Sequence, residues 1–264
     1  MRSLRKADVA IIGGSGLEAL IKDMEQIRVG TPYGLPSPIS IGEIGGKRVA
    51  FLLRHGLRHS IPPHKVNYRA NIYVLFEMGV KRIVATNAVG AINGDFKPGD
   101  LVVPHDLIDF TKLRQLTFYD DAPVTHVDVS QPFCPEVRSL LIRTIKERCT
   151  QVWNRAVLVC TEGPRFETPA EIEMFRRLGC DVVGMTVAPE AVLARELEMC
   201  YATICFVSNM AAGIQQRLTA QEVAEMAKEK MPVIEQILRE TIAHLPEGRR
   251  CPCSHALKDA RFRG

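Results

Sequence analysis

The chain has 264 residues, 46% hydrophobic and 24% charged, the balance of a folded, water-soluble α/β-sized domain and not of a disordered or fibrous chain. Its net charge is +4, but residues 246–264 hold five Lys/Arg against two acids, so the excess sits at one end and gives no clustered basic surface for a nucleic-acid backbone. No apolar run reaches the about 18 residues of a membrane span, and the opening MRSLRKADVAIIGG enters a strand without an apolar leader, so a cytoplasmic protein is expected, with neither membrane nor nucleic acid as a partner.

In chain order, residues 9–12 form a short apolar strand that ends in Gly13-Gly14-Ser15-Gly16-Leu17. The backbone N–H groups of that turn and the Ser15 hydroxyl can face an anion, although neither a dinucleotide fingerprint nor a P-loop ending is present and a plain tight turn fits equally. Residues 39–44 and 48–53 flank Gly45-Gly46 as a β-hairpin. The segment that follows, LRHGLRHSIPPHKVNYRAN, gathers Arg54, His55, Arg58, His59, His64, Lys65 and Arg69 between apolar neighbours. A solvated surface cluster is the plain reading. The apolar lead-in Phe51-Leu52-Leu53 argues for burial instead, and a buried guanidinium requires an anionic partner; phosphate is the anion expected. A metal site on His55 and His59 would need a helix, which Gly56 and Pro62-Pro63 oppose.

Apolar positions recur at helical spacing over residues 66–78 and stop at Gly79, and residues 82–86 form a strand ending in Asn87-Ala88-Val89-Gly90. A strand at 101–103, a long loop over 104–134, a helix over 135–149 and a strand at 156–160 come next. Thr168 and Glu171 form a capping box with Pro169 at the first helical position. A strand at 181–184 leads to Met185-Thr186, Pro189 opens a helix, and residues 203–207 form a strand ending in Ser208-Asn209. The last helix covers 220–245 with Pro232 inside it. Without a repeat or linker, the division expected is one domain over 1–245 and a basic tail over 246–264. Five strand ends, at Ser15, Arg54, Asn87, Thr186 and Asn209, carry polar residues, and in a mostly parallel sheet such ends share one edge.

Of the eight cysteines, Cys134, Cys149, Cys160, Cys180, Cys200 and Cys205 lie in or beside apolar segments as buried thiols. Cys251 and Cys253 form a C-x-C pair in a polar tail, exposed and open to disulfide formation, with no second pair at ligand spacing to complete a zinc site; no metal is expected.

Two residues carry both a structural and a functional reading. Glu167 is an acid at a helix start, or a carboxylate accepting a ligand N–H. Asn209 is a strand-end turn former, or an amide reading a planar heterocycle.

The segments GGSGL (13–17), RHG (54–56), KVNYRAN (65–71), NAVG (87–90), PGDLVVPHDLIDFT (98–111), EGPRFET (162–168), GMT (184–186), PEAVLARE (189–196) and SNMAAG (208–213) together resemble the trimeric purine nucleoside phosphorylase and methylthioadenosine phosphorylase family, in the family's order across almost the whole chain. The resemblance implies an α/β fold in one domain, a mixed central sheet flanked by helices. It implies a phosphate site of Ser15, Arg54, His55, the backbone near Asn87 and Ala88, and Thr186, with His55, Glu167 and Asn209 in catalysis. Met185 matches the ribose contact, Phe166 packs on the base, Glu167 and Asn209 read the base, and Met210 and Ala211 adjoin it. His59 and, from a neighbouring subunit, His126 match positions at the 5′ end.

Two departures bear on substrate choice. Adenine-type members have a D-x-D pair after the last strand and a serine after the Phe, whereas this chain has Asn209-Met210-Ala211 and Glu167. A carboxylate beside N1 suits a 6-oxopurine, whose N1 is a donor; against neutral adenine two acceptors would face each other at a cost of about 1–3 kcal/mol. Where nucleoside-type members place a histidine for the 5′-hydroxyl, this chain has Ala220, an apolar wall suited to a methylthio group. The pattern resembles methylthioinosine phosphorylases: phosphorolysis of S-methyl-5′-thioinosine, inosine or guanosine in purine salvage, by a pentosyltransferase with phosphate as co-substrate and no cofactor, assembled as a homotrimer or a hexamer of paired trimers. The alternatives are a methylthioadenosine phosphorylase acting on a 6-aminopurine, a hydrolytic nucleosidase and a non-catalytic nucleotide-binding protein.

Overall fold

The apolar run at residues 9–12 becomes β1 (Val9–Gly13), buried along its whole length, and the sheet is laid out around it in this computed structural model, which describes residues 5–13, 25–148 and 151–262. Its side chains alternate as strand geometry requires: Ala10 and Ile12 enter the core on one face of the sheet, Val9 and Ile11 the core on the other. Burial of each isoleucine stabilises the chain by roughly 1.5–3 kcal/mol.

The expected hairpin is β3 (Ile39–Ile44) with β4 (Lys47–Leu53), and β2 (Glu25–Ile27) extends it at the edge. β4 lies parallel to β1. On the other side β1 pairs in parallel with β5 (Arg82–Ala91), reached through α1 (Tyr68–Glu77), whose first turn is capped by the Asn67 side chain accepting from the Ala70 N–H. Along its opposite edge β5 pairs in parallel with β11 (Cys200–Met210). The sheet is mixed, because β10 (Val182–Gly184) joins the far end of β5 antiparallel and continues to β9 (Val157–Thr161) and β7 (Asp106–Phe110), while β6 (Leu101–Val102) and β8 (Val152–Trp153) branch from β11.

Helices cover both faces. α1 and α4 (Val187–Glu196) pack on the face that holds Ile12, and α2 (Pro135–Glu147) and α5 (Ala220–Ala243) on the face that holds Ile11. α3 (Pro169–Arg177) closes a smaller core with Val159 and Val183 and begins on the predicted capping box of Thr168 and Glu171. α4 is buried on nearly every side, the state of a helix without a solvent face.

Four differences from the sequence reading have physical reasons. β11 starts three residues earlier and ends three later than expected, since a central strand buried on both faces shows no alternation to mark its ends. The loop at 104–134 contains β7, whose Asp106 and Asp109 suit the sheet-edge position it occupies. α4 begins at Val187, two residues before Pro189. The C-terminal end is not a solvated tail: Cys251 and Cys253 are buried, Arg249 donates to the Glu198 carbonyl, and the His126 N–H donates to the Ala260 carbonyl.

One break in the sheet locates the site. β1 accompanies β5 only as far as Ala85, and β10 joins only at Gly90. Among the described residues, the β5 edge at 86–89 therefore has no strand partner on that side, and a cavity opens there.

Candidate active site

The cavity has a volume of ≈ 840 Å³, enough for a nucleoside and an anion together. Residues 86–90 of β5 form its floor, and the β4 end, the 162–167 turn, the start of α4, the end of β11 and one face of α5 form its walls. The predicted convergence of strand ends holds for Arg54, Asn87, Thr186 and Asn209, which all line it. Ser15, the fifth, lies outside the described residues.

Arg54 is 1% exposed. The anion that its burial demands is within the protein: Nε donates to Glu190 Oε1 at 2.5 Å and Nη2 to Glu190 Oε2 at 2.9 Å, while Nη1 donates to the Thr86 carbonyl at 3.1 Å. The Tyr201 hydroxyl also donates to Glu190, at 2.7 Å. Burial opposes the charge on Arg54, but the Glu190 carboxylate more than offsets it and holds the guanidinium protonated more firmly than usual. Three of the five guanidinium N–H groups are thus committed to the protein, and one on each Nη remains for a ligand.

The seven cations of the 54–69 segment do not share one anion. Arg54, His55, Arg58 and His59 line the cavity, whereas Arg69 pairs with Asp120 at 2.5 Å and lies over the Tyr33 ring. Nor is His55 a cation. Burial and the adjacent Arg54 charge push it down to about 3. Its Nδ1 lies 2.9 Å from the Ile61 carbonyl, and since a carbonyl only accepts, Nδ1 carries the proton and Nε2 is an acceptor. The ring stacks on His59 at 4.3 Å, and Arg58 and His59 both adopt left-handed backbone angles, φ 54° and 56°, a strained arrangement of the kind found at ligand sites.

This tautomer gives a pH prediction. Between about 3 and the ordinary histidine value near 6.5, the unfolded chain binds a proton at His55 that the folded chain refuses, so stability rises with pH across that window and is lost as pH falls. His55→Asn keeps a donor toward Ile61 and cannot titrate; its thermal midpoint should vary less with pH between these limits than the parent's. Identical profiles would contradict the neutral ring.

Thr186 and Asn87 form one relay on the floor. The Thr186 hydroxyl donates to Asn87 Oδ1 at 2.7 Å, and Asn87 Nδ2 donates to the Thr203 hydroxyl at 2.7 Å. Thr186 is also the N-cap of α4 and makes no side-chain cap bond, so a ten-residue helix begins at the cavity wall with its dipole directed there.

The opposite end is built to read a planar polar group. Gly163, at φ +64°, makes the turn after β9; a Cβ there would lie 2.6 Å from the Met185 sulfur, so the turn fits against Met185 only as glycine. Phe166 and Glu167 follow it into the cavity. Glu167 is buried, accepts from the Thr161 hydroxyl at 2.7 Å through Oε1, and has its carboxyl pushed up by burial. On β11 the register shifts between Val207 and Asn209, and such a bulge re-aims a side chain. Asn209 lines the cavity; its Oδ1 accepts from the Ser208 hydroxyl at 2.5 Å and its Nδ2 donates to the Met210 carbonyl at 3.2 Å.

One predicted contact is corrected. Met210 does not line the cavity; it packs, half-buried, against the core, because neighbouring strand residues point to opposite faces. His126, expected to act from a neighbouring subunit, is exposed and lies outside its own chain's cavity. Ala88, Met185, Ala211, Ala220 and His59 all line the cavity. The wall at Ala220 is mainly apolar: Ala220, Val223, Ala224, Ala227 and Met231 of α5 line the cavity at helical spacing, with Lys228 and Glu235 of the same helix also in its lining.

Sequence reasoning missed Glu190, Tyr201, Thr161 and Arg114. Arg114 pairs with Glu162 at 2.8 Å, donates to the Met185 carbonyl at 3.1 Å and lies over the Tyr68 ring. An acid in the first turn of a helix that starts at a cavity was the one signal available for Glu190.

Set beside known proteins, residues 8–243 match the Phosphorylase superfamily. A probable 6-oxopurine nucleoside phosphorylase of Thermococcus kodakarensis is 50% identical over 96% of this chain and 98% of its own length. An S-methyl-5′-thioadenosine phosphorylase of Pyrococcus abyssi is 47% identical over 95% and 97%. Among solved structures, a methylthioadenosine phosphorylase from an antarctic soil metagenomic library superposes with a TM-score of 0.90 at 37% identity, over 98% of this chain and 93% of that one.

Proposed function

Since the chain belongs to the Phosphorylase superfamily, we propose that it cleaves the N-glycosidic bond of a purine nucleoside with phosphate, releasing the base and a pentose 1-phosphate, and that it favours 6-oxopurines. Overall identity does not choose the base, because relatives named for 6-oxopurine and for methylthioadenosine substrates stand at 50% and 47%. The observation that carries the choice is Glu167: a buried carboxyl, fixed through one oxygen by Thr161, in the same cavity as Asn209. Its other oxygen accepts the N1–H of hypoxanthine or guanine and would face a lone pair on adenine N1.

In this reading phosphate lies between Arg54, Thr186 and the start of α4, with the His55 Nε2 accepting from a protonated phosphate oxygen. It attacks C1′ as the bond to the base stretches. The negative phosphate stabilises the cationic sugar, and positioning is the main contribution of the protein. Asn209 Nδ2 has a second N–H for N7, where negative charge gathers on the leaving base. Met185 lies against the ribose and Phe166 against the base. The reaction takes phosphate as co-substrate and calls on no cofactor. The apolar stripe on α5 suits a 5′-methylthio group better than a hydroxyl, so S-methyl-5′-thioinosine is the substrate favoured. His126, exposed in its own chain, reaches a neighbouring subunit's cavity in a homotrimer or a pair of trimers. Among the described residues no helix is long and apolar enough to cross a membrane.

The test is phosphate-dependent cleavage of methylthioinosine, methylthioadenosine, inosine, guanosine and adenosine side by side. The 6-oxo substrates should lead at neutral pH. The 6-amino share should rise as pH falls, because a protonated Glu167 donates to adenine N1 where the carboxylate cannot. Free pentose released without phosphate would identify a hydrolase, and a 6-amino preference unchanged by pH would remove Glu167 as the selector.

A further inference from the structure

We propose that Cys134, Cys200, Cys251 and Cys253 form a tetrathiolate site for a cation that prefers tetrahedral sulfur ligation, zinc first among them. All four are buried, and their four sulfurs lie within 4.8 Å of one another, with Cys200 and Cys251 at 3.3 Å. A tetrahedral zinc with sulfur ligands at about 2.3 Å places those sulfurs about 3.8 Å apart, so the cluster needs only small side-chain adjustments to close on an ion. The other described cysteines, Cys160, Cys180 and Cys205, are also buried but take no part in such a cluster.

The C-x-C pair alone pointed away from zinc because no second pair follows in sequence. The fold supplies it from two distant places. Cys134 is the N-cap of α2 and Cys200 the first residue of β11, and the C-terminal segment lays Cys251 and Cys253 across them. Each thiol gives its proton to solvent on binding, so four thiolates around a divalent ion carry a net charge of −2. Two features of the surroundings match that charge. The α2 N-terminus presents its positive dipole end at Cys134, and Arg195, 6% exposed, donates through Nη1 to Cys253 Sγ at 3.4 Å. An outer donor of this kind tunes and orients a metal ligand.

The site would anchor the C-terminal segment. Arg195 Nε also holds the Asp128 carbonyl at 3.0 Å, and the segment pairs with the 124–126 loop through Ala260 and Phe262. Loss of the ion would loosen the His126 loop without touching the cavity.

Full-length protein from zinc-supplemented cells, purified without oxygen under a phosphine reductant, should contain about one zinc per chain by elemental analysis. A chelator should increase the number of thiols open to a thiol reagent by up to four, and Cys134, Cys200, Cys251 and Cys253 should be the ones labelled. Cobalt should replace the zinc with thiolate-to-cobalt charge-transfer bands. The apo-protein should unfold several degrees lower and recover with zinc but not magnesium. The double variant Cys251→Ser, Cys253→Ser should hold less than about a tenth of the metal; if it does not fold, the chelator series on the parent chain still decides. Iron in place of zinc at the same four thiols supports the site. Reduced protein that takes up neither zinc nor cobalt overturns it, as does metal-free protein in which the four sulfurs are joined as two disulfides.

Discussion

Glu190→Ala is expected to destabilise the chain by about 3–5 kcal/mol, the cost of leaving a buried charge without its partner, and to abolish phosphate-dependent cleavage. Arg54 and Glu190 are each 1% exposed at the side chain, so no water replaces the lost carboxylate, and the Tyr201 hydroxyl loses its acceptor as well. Two controls separate the structural from the chemical part. Glu190→Gln keeps an acceptor for Tyr201 but leaves the guanidinium charge uncompensated. The double change Arg54→Met, Glu190→Leu removes both charges at similar volume and should recover much of the stability while remaining inactive, since the residue proposed to hold phosphate is gone. Denaturant midpoints and phosphate saturation curves measure both. Full stability and an unchanged KM for phosphate in Glu190→Ala would refute the claim that this carboxylate positions Arg54.

That pair also shows what the sequence could and could not tell. Burial of Arg54 was legible from the apolar residues ahead of it, and so was the need for an anion. The anion's identity was not, because Glu190 lies 136 positions away in sequence and nothing local distinguishes it from any acid in a first helical turn. The same limit applies to His55, which counts as a cation in a list of residues but is neutral once Arg54 and burial act on it. Local signals fared best. The capping box at Thr168 and Glu171 and the hairpin at Gly45-Gly46 are both present, each set by neighbours a few residues apart. Signals that depend on the whole sheet fared worst: the length of β11, the edge strand β7, and the proximity of Cys251 and Cys253 to Cys134 and Cys200.

The base-reading end was legible as residue types and not as geometry. Glu167 and Asn209 stood out as polar residues at element ends. The bulge before Asn209 and the hydroxyls of Thr161 and Ser208 that orient the pair appear only in the fold. These supporting hydroxyls matter because a recognition group held in one orientation has no reorganisation to perform as the bond breaks.

Asn209→Ala follows from that preorganisation. The variant removes a donor aimed at the place where charge develops on the leaving base, an interaction stronger in the transition state than in the bound nucleoside, so kcat should fall by about 10²–10³ while the KM for phosphate stays near the parent value. Stability should change far less than in Glu190→Ala, because Asn209 is uncharged and its two internal bonds, from Ser208 and to the Met210 carbonyl, can be remade with water at the cavity wall. The leaving group supplies a further readout. A nucleoside whose base departs more easily as an anion needs less help at N7, so the loss should shrink across a series of progressively more acidic purines. A variant that cleaves inosine-type substrates at the parental rate, or one whose loss is the same for every leaving group, would move Asn209 from stabilising the departing base to merely shaping the cavity.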